Sequence, residues 1–155
     1  MKDEMDQLAE GLWMRLRDIL RAQSRWDGFV HDPEGEKSQP LPPPEESERL
    51  AADMVLRALR VGIDPINHAI LRRLTRENEV ALTSLIEQTG LSRIALMETI
   101  NDLSQVGLAS YAVETRQVRA TVGAIGLLGL LDEVRARLAR MIEIQNPKSK
   151  SQNQS

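Results

Sequence analysis

Cysteine is absent from all 155 residues, and that absence removes disulfides, thiolate catalysis, iron–sulfur ligation and cysteine zinc sites together. It fits a reducing compartment, and with it a cytoplasmic location. Aromatic residues are nearly missing: two Trp, one Tyr and one Phe. With Leu, Ile, Val, Ala and Met supplying the apolar set, the palette favours helix over sheet. Long apolar runs are lacking as well. The longest, Val122–Leu131, spans only about 15 Å as a helix, half of a bilayer core of about 30 Å. The first residues, Met1-Lys2-Asp3-Glu4, are charged, unlike the apolar stretch of a signal peptide. Histidine occurs only at positions 31 and 68, too far apart in sequence to suggest a metal site. Acid pairs such as Glu45-Glu46 and Asp132-Glu133 are adjacent, and adjacent residues on a helix diverge. No nucleophile–base–orienter set is visible, so neither an enzyme nor a cofactor is expected.

What remains is a globular composition, with 41% apolar and 28% charged residues. The net charge of −3 excludes a uniformly basic coat for nucleic acid and leaves room for a local basic patch.

Apolar spacing organises the chain. Met5, Leu8, Leu12, Leu16, Ile19 and Leu20 recur every three or four residues and predict a helix over 3–24. Acids crowd its start and arginines its end, as the helix dipole prefers. Trp26 and Phe29 follow in an expected polar turn. Prolines at 33, 40, 42, 43 and 44 forbid a helix and predict an extended spacer. The expected division is an N-terminal amphipathic helix at 1–31, a proline-rich linker at 32–44, one domain at 45–145 with its core at 64–144, and a disordered tail at 146–155.

Within that domain a helix starts at Glu45 and stops at Gly62. Asp64-Pro65 opens another, an N-cap followed by a first-turn proline, which runs to about Thr75. Glu79–Leu82 suits a small strand. Thr83 is the expected cap of a short helix ending at Thr89, and Gly90 permits a tight turn. Ser92 caps the next helix, with Leu96, Ile100 and Leu103 inward and Gly107 as its end. Leu108–Glu114 alternates like a strand, Thr115-Arg116-Gln117 turns, and Val118–Thr121 returns. A last helix covers Val122 to Ile144.

The order helix, short strand, helix, turn, helix, hairpin, long helix resembles the winged helix-turn-helix of the ArsR and MarR types of bacterial regulator. "TSLIEQTGLSRIALMETINDLSQVGLA" is similar to their second and third helices. "TVGAIGLLGLL" is similar to their exit from the wing. The resemblance covers roughly half of the chain and gives no counterpart for residues 1–63. It implies a mainly α fold, a three-helix core with a β-hairpin wing, a long C-terminal helix and an N-terminal helical extension. It also implies a homodimer that places one recognition helix in each major groove of double-stranded DNA. That helix would be 92–106, with Arg93, Ile94, Ala95, Met97, Glu98 and Asn101 outward, and Arg116 and Arg119 as wing contacts.

The chemistry of those positions is mixed. Arg93 and Asn101 have the side chains that read guanine and adenine. Arg72, Arg73 and Arg76, with Arg116 and Arg119, would frame a phosphate track. Yet between Arg76 and Arg116 three arginines stand against Glu77, Glu79, Glu87, Glu98, Asp102 and Glu114, and phosphate neutralisation supplies most of DNA affinity. The same residues admit a second reading: a winged-helix adaptor that binds a protein through Ile94, Met97 and Glu98. In a third arrangement, Ile94 and Met97 pack beneath the N-terminal helix.

The last helix adds a seam. Leu127, Leu131, Val134, Leu138 and Met141 alternate spacings of four and three, a near-heptad that suits a dimer interface formed together with the first helix, or packing of these two helices within the chain. Gly123, Gly126 and Gly129 repeat every third residue and would let another helix approach closely. No Lys-Ser/Thr pair follows them, so a phosphate loop is not expected.

Overall fold

The structure is a computed structural model that describes residues 3–31 and 43–146, with side chains described at 3–22 and 43–146. The proline-rich spacer, apart from its last two residues, and the tail beyond Asn146 lie outside the described residues, as do the side chains of Trp26, Phe29 and His31. The elements run α1 (Glu4–His31), α2 (Pro44–Gly62), α3 (Pro65–Glu77), β1 (Glu79–Ala81), α4 (Leu82–Thr89), α5 (Arg93–Gln105), β2 (Ala109–Ala112), β3 (Gln117–Ala120) and α6 (Val122–Gln145). This is a mainly α winged helix: α3, α4 and α5 form the three-helix core and β2–β3 the hairpin. β1 joins on the far side of β3, giving an antiparallel sheet of order β1-β3-β2.

Local chemistry sets the boundaries. Asp64 accepts hydrogen bonds from the backbone N–H groups of Ile66 (3.0 Å) and Asn67 (3.2 Å), and Pro65 occupies the first turn of α3. Ser92 accepts from Ala95 N–H at 3.2 Å and opens α5. Gly90, at φ +69°, makes the left-handed turn between α4 and α5.

Two expectations shift, and a third gains a reason. Helix α1 continues to His31, so the backbone does not turn at Trp26. Helix α4 begins at Leu82, behind Ala81 and without a side-chain cap, which removes the capping role expected of Thr83. Gly62 does close α2, as expected, and its missing side chain also serves packing. A Cβ there would sit 2.3 Å from Leu127 Cδ2, and the missing methyl is what admits that leucine.

The core gathers Ile70, Leu71 and Leu74 of α3, Leu85 of α4, Leu96, Ile100 and Leu103 of α5, Val118 of β3 and Leu127 of α6, all fully enclosed. Each such side chain contributes about 1.5–3 kcal/mol of transfer free energy. Helix α1 lies against the first half of α6 at backbone distance. A Cβ on Gly11 would lie 2.4 Å from Gly123 Cα, and one on Gly126 would lie 2.4 Å from Leu8 N. The glycine repeat therefore does admit a second helix, and that helix is α1. Leu8 and Leu12 are buried in the resulting seam, while Met5, assigned to the same stripe by spacing, stays exposed.

Candidate nucleic-acid interface

Ser92 and the Gly90 turn aim α5 so that one face is enclosed and the other open. Arg93, Ile94, Glu98 and Asn101 are exposed, with Ile94 at 75%. Ala95 and Met97 are half-buried. Helix α1 does not cover Ile94. Met97 instead lines a cavity between α5 and α1, and Asn101 stands on the same wall.

The wing is short. Four residues, 113–116, connect β2 to β3, with Tyr111 opposite Val118 and Ser110 opposite Arg119. Arg116 closes the loop at φ +52°, a backbone conformation that L side chains seldom adopt. Its carbonyl accepts a hydrogen bond from Leu82 N–H at 3.0 Å. The tip of the wing is thereby tied to the start of α4. The base of the wing is tied elsewhere: Thr121 Oγ1 donates to Gly107 O at 2.5 Å, and Thr121 N–H donates to Leu108 O at 3.1 Å.

The seven positively charged or amide candidates separate by partner. Arg72 makes a two-point ion pair with Asp132 of α6, its Nη1 2.6 Å from Oδ2 and its Nη2 on Oδ1. These hydrogen bonds hold the Asp132 carboxyl below its ordinary value, against the opposing effect of burial, with Arg135 and His68 adding to the field. The same bonds raise the Arg72 guanidinium. Arg73 pairs with Glu77 at 3.2 Å, and Arg119 pairs with Glu79, its cross-strand neighbour. Arg76, Arg93 and Arg116 make no ion pair among the described residues, and Asn101 has no recorded partner there either. The five arginines of the expected phosphate track thus divide into three that are engaged and two, Arg76 and Arg116, that are uncommitted.

Pairing leaves the local balance acidic. Glu77 and Glu79 are neutralised by their arginines, while Glu87, Glu98, Asp102 and Glu114 are exposed and make no ion pair among the described residues. The sequence showed which residues are charged. It carried no signal that Asp132, 60 positions away, would take Arg72.

Helix α6 divides the seam. Leu127 is fully buried and Leu131 half-buried within the chain, whereas Val134, Leu138 and Met141 are 57%, 56% and 61% exposed. Among the described residues no three His, Asp or Glu side chains gather into a metal-binding group, and no helix is long and apolar enough to cross a membrane.

No protein-family model matches the chain, and no curated protein matches it. Among solved structures, the chain is similar to the crystal structure of NolR from Sinorhizobium fredii, at 28% identity and a TM-score of 0.49, over 63% of this chain and 96% of NolR.

Proposed function

We propose that this protein is a winged-helix transcriptional regulator that binds double-stranded DNA as a homodimer. One observation carries the reading. The two arginines left without a carboxylate on the recognition helix and the wing, Arg93 and Arg116, occupy the first turn of α5 and the tip of the hairpin. Those are the two places from which a winged helix reaches the major groove and the flanking backbone. Arg76, at the end of α3, adds a third uncommitted guanidinium. Ile94 supports the reading only weakly, since its contribution is limited to thymine methyl groups.

Dimerisation through the exposed half of α6 doubles the number of phosphate contacts. That matters here, because each exposed carboxylate near the backbone subtracts from counterion release. Val134, Leu138 and Met141 supply the self-complementary apolar strip.

The test is fluorescence anisotropy with a random-sequence duplex, titrated with salt. Wild type is expected to bind in the micromolar range at low salt and to weaken as salt rises. Arg116→Ala is expected to weaken binding to every sequence and to flatten the salt slope by about one unit. Complete absence of binding at low salt would overturn the reading. It would favour the adaptor instead, in which Ile94, Met97 and Glu98 meet a protein; the 75% exposure of Ile94 is the observation on its side.

A further inference from the structure

The cavity between α1 and the winged-helix body has a volume of about 750 Å³, within the range of pockets that enclose small ligands, roughly 300–1,000 Å³. Its walls come from three places that a folding core would normally press together: the middle of α1, the inner edge of α5, and the β2–β3 sheet. Gly11 and Gly107 explain why the walls stand where they do. A Cβ on Gly107 would lie 2.9 Å from Arg15 Cβ, and Arg15 Nε donates to Gln105 O at 3.0 Å. That clamp fixes α1 at one end of the cavity and leaves the remainder open.

We propose that this cavity is a binding site for a small organic cation with an aromatic or aliphatic body. The body fits the apolar lining. Met14 and Met97 are flexible, polarisable walls, and Tyr111 offers the face or edge of its ring. The sign of the ligand's charge follows from the charges on the walls and from which of them are already ion-paired. Arg119 lines the cavity, but its guanidinium is held by Glu79. Arg15 keeps its positive charge, since its Nε donates only to the neutral Gln105 carbonyl, but two carboxylates, Glu10 and Asp18, stand on the same walls and outnumber it. The Asp18 carboxylate also lines the cavity and has no recorded partner among the described residues. This site stands independently of the DNA-binding reading, and its test uses no DNA.

The measurement is isothermal titration of the full chain with 4-phenylbutylamine and, separately, 4-phenylbutyrate, which carry the same body and opposite charge. The amine is expected to bind saturably at one site per chain, with the carboxylate at least about tenfold weaker. Asp18→Asn changes an exposed residue and should leave the thermal transition in place while reducing amine affinity roughly three- to tenfold. Met97→Trp narrows the cavity where the body lies and should weaken the binding of both. If Met97→Trp does not fold, Tyr111→Leu provides a second probe of the wall and should weaken the amine more than the carboxylate. Equal affinity for the two compounds, tighter binding of the carboxylate, or no saturable uptake of the amine would each overturn the proposal.

Discussion

The two halves of α6 carry one apolar repeat and meet different fates. From Val122 to Leu131 one face of the helix is sunk in the molecule, with Gly123, Gly126 and Leu127 buried. From Asp132 onward every described residue but Asp132 itself is exposed, including Val134, Leu138 and Met141. Periodicity therefore states which face of a helix seeks cover and says nothing about what covers it. The difference lies in the small residues and in the reach of the neighbour. Gly123 and Gly126 let the α1 backbone close on the first half. Helix α1 begins at Glu4, whose side chain meets Gly129, so among the described residues α1 has no further length to lay along the second half.

The sharpest way to break this comparison is truncation on each side of it. Leu127→Ala removes a fully enclosed side chain that fits against Gly62. It is expected to cost about 2–5 kcal/mol, read from chemical denaturation. Leu138→Ala, measured where the chain is monomeric, should stay within about 0.5 kcal/mol of wild type. Equal costs would mean that both halves are core.

Leu138→Asp asks whether the exposed half is an interface between copies. A carboxylate in the middle of a buried apolar strip is expected to turn a dimer into a monomer by light scattering, with the thermal transition of the monomer unchanged. A dimer that survives the substitution would place the contact elsewhere and leave the strip unexplained.

A finer cut distinguishes the glycines. At Gly126 an added methyl meets backbone, 2.4 Å from Leu8 N and 2.5 Å from Glu4 O, so Gly126→Ala must move α1. The overpacking cost of about 1–3 kcal/mol exceeds the gain of about 1 kcal/mol in helix propensity. At Gly129 the nearest atom, at 2.5 Å, is Cγ of Glu4, a side chain able to swing away, so Gly129→Ala should be neutral or stabilising in the same denaturation measurement. Destabilisation of equal size by both would contradict backbone contact as the reason for the repeat.

Much of the fold was legible because its signals are local. Asp64-Pro65 and Ser92 are caps whose function depends on three or four neighbouring residues, and the Gly90 turn needs only its own φ. The close approach at Gly123 and Gly126 was readable as a possibility, since glycine in a helix has a cost that calls for a reason. The first helix was readable as its partner only as one of two alternatives, packing within the chain or a dimer interface, because a contact spanning more than a hundred residues leaves no local signal to choose between them. The candidate interface was legible to a lesser degree still. Spacing marks Arg93 and Arg116 as outward, but whether an arginine is available depends on its partners. Arg119 is matched to Glu79 by a strand register set through β3, and Arg72 is matched to Asp132 by the packing of α3 on α6. Such pairings belong to tertiary geometry and leave no periodic trace.

The smallest expected effect falls at the boundary between the two halves of α6. Asp132 is the first residue beyond the buried stretch, and its two-point pair with Arg72 fastens that point of α6 to α3. The hydrogen bonds from Arg72 hold the carboxyl below its ordinary value of 3.8 in the folded chain. The unfolded chain therefore takes up the proton first as pH falls. The pair's contribution is full above about 3.8, and it is lost as pH descends through the depressed folded value. The pair is partly exposed, with side chains 28% and 39% accessible, so solvent screening limits the contribution to about 1 kcal/mol or less. Asp132→Asn keeps the shape and deletes the charge. Its urea midpoint should lie slightly below wild type near neutrality and converge with it in acid, and added salt should narrow the neutral gap. A deficit that persists unchanged in acid would show that Asp132 acts by fit alone, and the junction of the two halves would then be held by packing without an ionic fastening.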